Sequence, residues 1–368
     1  MPAAGPTSML LRLEPRALPS RWIAATSPLL AAVLTVVGGL ILFAALGYDP
    51  VAALHIFFIS PVESAYGLSE LAVKATPLLL CAIGLAVGFR GKVWNIGAEG
   101  QLTMGALAGG GLALAFPESE SDLLLPAMVV AGALGGMAWA AIPALLKTRF
   151  NANEILTSLM LTYVAIQILS YLVHGPWRDP AGYNFPESRQ FQPASTMPIL
   201  LESTRLHLGT VIALIAVGLG WLLVERSFTG FQIKVVGLAA PAADYAGFSQ
   251  SRVVWVGFLA GGALSGIAGL AEVAGPIGQL NPSISPGYGF AAIIVAFLGR
   301  LHPVGILVAS FLMALLYLGG EAAQIKLGLP VAVTGVFQGM LLFFLLGTDV
   351  LIRYRVRWQG PAAKDEPA

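Results

Sequence analysis

Long apolar runs broken by short polar stretches make up most of this chain. One polar stretch, Ser227 to Arg252, divides it: five apolar runs precede it and five follow. That stretch carries Lys234, Asp244 and Arg252, with Arg226 just before it. It is too polar to enter hydrocarbon, and its Ala and Gly content is too high for a soluble domain. The runs fall at about 26–47, 70–89, 98–116, 124–146, 154–174, 207–225, 253–273, 284–299, 303–320 and 331–351. Each approaches the roughly 20 residues that a helix needs to cross a bilayer. The pattern therefore predicts an all-α integral membrane protein with about ten transmembrane helices. The eighth run is the shortest, and Pro282, Ser283, Ser285 and Pro286 precede or interrupt its start. A broken or re-entrant segment fits there, since irregular backbone survives in a membrane only where protein or water covers it.

Composition agrees. The 368 residues are 57% hydrophobic and 11% charged, with a mean hydropathy of +0.81, whereas soluble domains carry roughly 25% charged residues. The 43 glycines suit close contacts between membrane helices. A net charge of +1 gives no electrostatic footprint for nucleic acid. Cys81 is the single cysteine, which excludes an intramolecular disulfide and a cysteine metal cluster. The longest polar stretch, about 175–205, is loop-sized. The first run, from Thr26 to Leu46, exceeds the ~7–15 residues of a signal-peptide core. It reads as an uncleaved first helix, with a signal anchor as the other reading.

Orientation follows from Lys and Arg. With the N-terminus inside, the cytoplasmic side holds Arg12, Arg16, Arg21, Arg90, Lys92, Lys147, Arg149, Arg226, Lys234, Arg252, Arg300, Arg353, Arg355, Arg357 and Lys364, against Lys74, Arg178, Arg189, Arg205 and Lys326 outside. The division is 15 to 5 of the 20 basic residues, and dropping one span would put a basic cluster on the wrong side. The expected organisation is a cytoplasmic tail over 1–25, a first membrane half over 26–226 with an outer loop at about 175–206, a cytoplasmic loop over 227–252, a second half over 253–352, and a cytoplasmic tail over 353–368 that is basic and then disordered. Five spans per half would start the second half from the opposite side, the geometry of an inverted repeat. Rows of small residues at Gly97, Gly105, Gly109 and Ala113, and at Gly257, Gly261, Ser265 and Gly269, share a period of four. Ordinary helix packing accounts for such rows as well.

Three polar groups lie close to or within the spans. In the stretch from Gly91 to Gln101, Asn95 and Glu99 share a helix face if the helix has begun by Trp94. Two readings stand. A buried carboxylate in a span is costly and faces protein or water; alternatively, this is a polar helix start at the interface, with Trp94 as aromatic anchor and Glu99 in the favourable first turn. Asn151 or Asn153 would cap the fifth span, with Glu154 in its first turn. Glu272, Gln279 and Asn281, beside Gly275, Pro276 and Gly278, read either as the lining of a vestibule or as a plain outer turn, and Glu321 and Gln324 read the same way. There is no phosphate-binding G-x-x-x-x-G-K-[ST], because Ala86 holds the first Gly position and Val93 follows Lys92. There is no H-E-x-x-H either. Glu99 is the one candidate for a buried ionisable group.

Four segments in order carry a resemblance: Asn95-Ile96-Gly97-Ala98-Glu99-Gly100-Gln101; Asn153-Glu154-Ile155 opening a helix; Val236-Gly237-Leu238-Ala239-Ala240-Pro241-Ala242-Ala243-Asp244-Tyr245-Ala246-Gly247 between two spans; and Gly289-Phe290-Ala291-Ala292-Ile293-Ile294-Val295-Ala296-Phe297-Leu298-Gly299. Together they resemble the permease subunits of bacterial ABC importers for nucleosides and simple sugars, part of the larger family that includes ribose and branched-chain amino-acid permeases. The resemblance covers roughly residues 70 to 350. It implies a multi-pass protein of the bacterial plasma (inner) membrane that is not itself an enzyme. Its implied partners are a second permease, homologous or identical, two cytoplasmic ATP-binding-cassette ATPases, and an extracytoplasmic binding protein or lipoprotein. ATP and Mg would be bound by the ATPases, with no cofactor in this chain.

The resemblance further implies a short coupling helix at about Ala239 to Gly247. Gly237, Ala239, Ala242, Ala243, Tyr245, Ala246 and Gly247 would meet the ATPase, with Tyr245 as anchor and Lys234 and Arg252 as flanking charges. It also makes Asn95, Glu99, Gln101, Thr103, Asn153 and Glu154 the candidates for the translocation pathway. Branched-chain amino acids are an alternative substrate class. The rival mechanism is a stand-alone secondary carrier, which would move solute without ATP.

Overall fold

The computed structural model describes residues 10–15 and 21–359. Arg16, Lys364 and the remaining parts of the two expected tails lie outside the described residues. The elements are β1 (Leu10–Pro15), α1 (Arg21–Ala45), α2 (Pro50–Leu54), α3 (Ala65–Arg90), α4 (Ala98–Ala115), α5 (Leu124–Phe150), α6 (Glu154–His174), α7 (Leu208–Trp221), α8 (Phe228–Leu238), α9 (Ala240–Tyr245), α10 (Gln250–Glu272), α11 (Tyr288–Leu298), α12 (Pro303–Leu327), α13 (Ala332–Arg353) and β2 (Tyr354–Gln359). Wider π-type turns extend α7 through Arg226 and α10 through Ile277.

Each of the ten apolar runs holds a helix, and seven helical segments are long and apolar enough to cross a membrane. The other three fall short for visible reasons. α4 carries Glu99 and Gln101 in its first turns. α11 has 11 residues. α13 is 22 residues long, and its apolar character is described over Ala332–Thr348. The two strands, outside the membrane helices, pair antiparallel, with Leu11 opposite Trp358 and Leu13 opposite Val356 in register. Alternation of apolar and charged residues from Leu11 to Glu14 and from Tyr354 to Trp358 is the period-two signal of a strand, so the start of the C-terminal tail is ordered here.

The chain forms two compact units, one comprising the segments up to Leu54 and from Gly335, the other His55–Thr334. In the first, Phe43 packs on Phe337 with ring centroids 5.6 Å apart, and Thr35 bonds back to the Ala31 carbonyl at 2.8 Å. Leu29, Val33, Val37 and Ile41, four residues apart, form an exposed apolar stripe along α1, as expected of a helix facing lipid.

The second unit is built around α3 and α10. α3 is almost wholly buried from Val73 to Phe89, so it is apolar all round. It crosses α10 where Gly88 faces Gly257 and Gly84 faces Gly261: a Cβ built on Gly257 would lie 2.8 Å from the Gly88 Cα. The other face of α10 meets α5, where a Cβ on Gly136 would lie 2.1 Å from the Gly262 carbonyl oxygen. It also meets α4, where a Cβ on Gly105 would lie 2.1 Å from the Gly266 Cα. Both glycine rows seen in the sequence are therefore contact surfaces. The packing also exchanges under an inverted repeat: α5 and α4 lie on α10, while α12 and α11 lie on α3.

The outer loop from Gly175 to Leu206 is sewn to the end of α10. Ser188 donates its N–H to the Leu280 carbonyl at 2.9 Å, Phe191 to that of Gly278 at 2.8 Å, and Met197 to that of Ala274 at 2.7 Å. Arg205 grips Glu70 on α3 with two hydrogen bonds, Nε to Oε1 at 2.9 Å and Nη2 to Oε2. The Glu70 side chain is only 7% exposed. Arg205→Ala should therefore strand a carboxylate. Hydrogen bonds to charged groups contribute about 1.5–3 kcal/mol, and half-exposure of the arginine places this one at the low end. The expected outcome is a lower thermal midpoint in detergent with the helical content retained.

Candidate functional site

Two neighbourhoods hold the predicted site residues. The first lies where α3 gives way to α4. Residues 91–97 leave the helix, with Lys92 exposed at φ 56°, and the buried polar groups that follow it are bonded within the protein. Asn95 and Gln101 form a reciprocal amide pair, Nδ2 to Oε1 and Nε2 to Oδ1, both at 3.0 Å. The Asn95 Oδ1 also accepts from Gly97 N–H at 2.9 Å. Ser158 on α6 accepts from Ile96 N–H at 3.1 Å. Thr103 bonds back to the Glu99 carbonyl at 2.9 Å. Trp94 stacks on Phe297 and lies tilted against Phe89, and so is held by protein rings.

Glu99 is buried, at 5% exposure. Its Oε2 accepts from Gly289 N–H, at the start of α11, at 2.6 Å. A Cβ on Gly289 would fall 2.2 Å from the Glu99 nitrogen, so the starts of α4 and α11 touch backbone to backbone. Glu99 thus supplies a hydrogen-bond acceptor to the N-terminal end of a second broken helix, and the polar-interface reading gives way to the buried one. Glu99→Gln keeps the shape and removes the carboxyl group. It should lower ATP-driven uptake about tenfold with folded yield maintained, measured in proteoliposomes; wild-type uptake would return Glu99 to a packing role.

Asn153 and Glu154 stand apart, at the turn between α5 and α6. Asn153 is the cap, with Oδ1 accepting from Ile155 and Leu156 N–H at 3.0 and 3.3 Å. Asn151 ends α5 in the left-handed conformation. Glu154 pairs with Lys147 at 3.0 Å. This turn reaches the first neighbourhood through Ser158, which donates to the Glu154 carbonyl at 2.6 Å.

The second neighbourhood is the loop between the halves. It folds as α8 and the six-residue α9, with Pro241 in the first turn and Gly247 turning the chain at φ 75°. Tyr245 is 96% exposed. Ala239, Ala242, Ala246 and Gly247 are exposed as well. Ala243 departs from the expected outward face: it is fully buried in a cluster with Ile233, Val236, Val253 and Phe258. Gly237 also turns inward, where a Cβ would lie 1.9 Å from the Arg90 carbonyl oxygen. These two residues seat the module on its own chain, and the remaining five predicted contacts face out.

The seat leads directly to the first neighbourhood. Gly237 abuts the end of α3 at Arg90, and Gly91 abuts Val253 and Ile233. Five residues beyond Arg90 stands Asn95. The module is thus joined by direct packing to the segment that precedes α4 and, through Glu99, to the start of α11.

Sequence reasoning missed a third feature. Glu99 is not alone as a buried carboxylate: Glu70 and Glu272 are buried too. Glu272 lines a cavity of about 450 Å³ with Lys74, Arg205 and Glu321, so it belongs to a vestibule. Gln279 and Asn281 instead hold loops, through Glu187 at 2.7 Å and Ser283 N–H at 2.9 Å. The sequence offers Glu272 and Glu321 as vestibule lining, but Lys74 on α3 and Arg205 in the loop before α7 join them only through long-range packing, which spacing along the chain does not register.

The helical body, with seven segments long and apolar enough to cross a membrane and a two-helix module between its halves, is that of a multi-pass membrane protein. Residues 67–346 match the family described as branched-chain amino acid transport system / permease component. The chain belongs to that family. It is 37% identical over 356 residues to the glucose ABC transporter permease protein TsgB13 of Haloferax volcanii, covering 94% of this chain and 93% of the other. It is 29% identical to the nucleoside ABC transporter permease protein NupB of Lactococcus lactis, covering 92% and 93%. It is 30% identical to the guanosine ABC transporter permease protein NupP of Bacillus subtilis, covering 86% and 92%. The chain is thus an ABC transporter permease subunit, a multi-pass protein of the plasma membrane and a transport component rather than an enzyme.

Proposed function

We propose that the chain forms one half of the translocation pathway of an ATP-driven importer for a nucleoside or simple sugar. The observation that carries this reading is the α8–α9 module, exposed at Tyr245 yet seated on α3 and α10 through Gly237 and Ala243. Separate ATPase subunits bind ATP and Mg and close on α9. A second permease and an extracytoplasmic binding protein complete the complex, and this chain needs no cofactor of its own. Closure rocks α3 and α10, a rigid-body motion of packed helices. The broken starts of α4 and α11 shift with them, and Asn95, Glu99, Gln101 and Thr103 then face the passing solute. Asn153 and Glu154 keep the adjoining turn in register. Weak polar walls suit a path that must also release.

The substrate class rests on relatives named for glucose, guanosine and nucleosides. The test is uptake of labelled glucose, guanosine and leucine by the reconstituted complex, with and without ATP. ATP-dependent uptake of glucose or guanosine is expected. Uptake of leucine alone would move the chain to the amino-acid branch, and uptake by this chain alone without ATP would make it a secondary carrier.

A further inference from the structure

The outer cavity between α3, α10, α11 and α12 lies apart from the coupling path. Its volume of about 450 Å³ falls within the roughly 300–1,000 Å³ of small-molecule sites. Four charged side chains line it: Lys74, Arg205, Glu272 and Glu321. Both cations are already matched, Lys74 Nζ by Glu321 Oε1 at 2.8 Å and Arg205 by Glu70. Glu272 is left over. It is 9% exposed, lines the cavity, and has no hydrogen-bond or ion-pair partner among the described residues.

A buried carboxylate without a bonded donor is costly, so Glu272 is an acceptor left open to whatever enters the cavity. That open acceptor selects the ligand. An anionic solute would meet the two carboxylates Glu272 and Glu321, with both cations already paired. A metal ion would find two carboxylates and face Lys74. A neutral ring with adjacent hydroxyls donates to Glu272 and to the second oxygen of Glu321, and accepts from Lys74. We propose that this cavity binds a hydroxyl-bearing sugar ring, free or as the ribose of a nucleoside, with Glu272 as the acceptor that holds it. The cavity ends at Ser285 and Tyr288, so a bound ring lies beside the α11 start that Glu99 holds from within. This proposal rests on the importer reading and gives its substrate a place to wait outside the gate.

The test is equilibrium binding to the full complex in detergent, without its binding protein, using tritiated glucose, guanosine, 2′,3′-dideoxyguanosine and leucine. Saturable binding of glucose or guanosine is expected, with none of leucine and at least tenfold weaker binding of the dideoxy compound than of guanosine wherever guanosine binds. Glu272→Gln should weaken binding at least tenfold. If that variant lowers the yield of complex, Lys74→Met decides: a loss of threefold or more supports the site and unchanged affinity overturns it. Absence of saturable binding, or wild-type affinity in a well-folded Glu272→Gln complex, also overturns it. ATP-driven uptake run in parallel separates the two claims. Wild-type glucose or guanosine uptake by Glu272→Gln removes this site and leaves the importer standing, whereas leucine uptake alone removes the substrate class and this site with it.

Discussion

Gly266→Val is expected to abolish a monodisperse folded protein. A Cβ at Gly266 would lie 2.2 Å from the Gly132 carbonyl oxygen, and one at Gly105 would lie 2.1 Å from the Gly266 Cα. The glycine is thus held between α5 and α4. Overpacking a core costs about 1–3 kcal/mol when side chains can yield. Here the obstructing atoms are backbone, so relief requires moving whole helices, and the cost should reach or exceed about 3 kcal/mol. Size exclusion and thermal melting in detergent give the readout. Gly218→Ala is the control, because nothing lies within 4 Å of a Cβ there. A wild-type melting profile for Gly266→Val would mean that the three helices do not cross at this distance.

The second large effect is functional. Tyr245→Asp changes an exposed ring that makes no ring contact among the described residues, so the chain should fold and reach the membrane normally. Co-purification with the ATPase should be lost, and ATP-driven uptake should fall to background. Ala243→Asp would give the same loss of transport for a different reason, because it puts an unpaired charge into a closed apolar cluster. It should also lower the melting temperature, whereas Tyr245→Asp should not. Equal complex yield for Tyr245→Asp and the wild type would count against docking at this face.

The membrane body was largely legible in the sequence because apolar length alone marks a span. All ten runs hold helices, and the charge bias sorts their loops. What the runs could not give was which helices lie at the centre. α3 and α6 read alike as apolar stretches, yet α3 is buried and α6 mostly faces outward. That difference comes from where Gly84, Gly88, Gly257 and Gly261 meet, a long-range pairing. Asn153 was legible as a cap because capping is local. The Asn95–Gln101 pair was legible as a polar cluster, but not the bond from Glu99 to Gly289, which spans 190 positions. The polar stretch between the halves does fold as separate short helices, α8 and α9. Its inward residues, Ala243 and Gly237, read in the sequence as contacts for a partner, because small residues suit docking and internal packing alike. The pairing of β1 with β2 was written in alternating residues that apolar-run length does not register.

The central claim is that a partner ATPase moves this subunit through α9, and the chain offers a clean probe of it. Cys81 is its single cysteine and is buried, so Tyr245→Cys supplies one reactive thiol on the outward face of the module. A thiol-directed photo-crosslinker attached there, in the assembled complex, is predicted to give an adduct of this chain with the ATPase, at a yield that changes when ATP is bound. A complex that imports solute with ATP yet gives no ATPase adduct from position 245 would contradict the account.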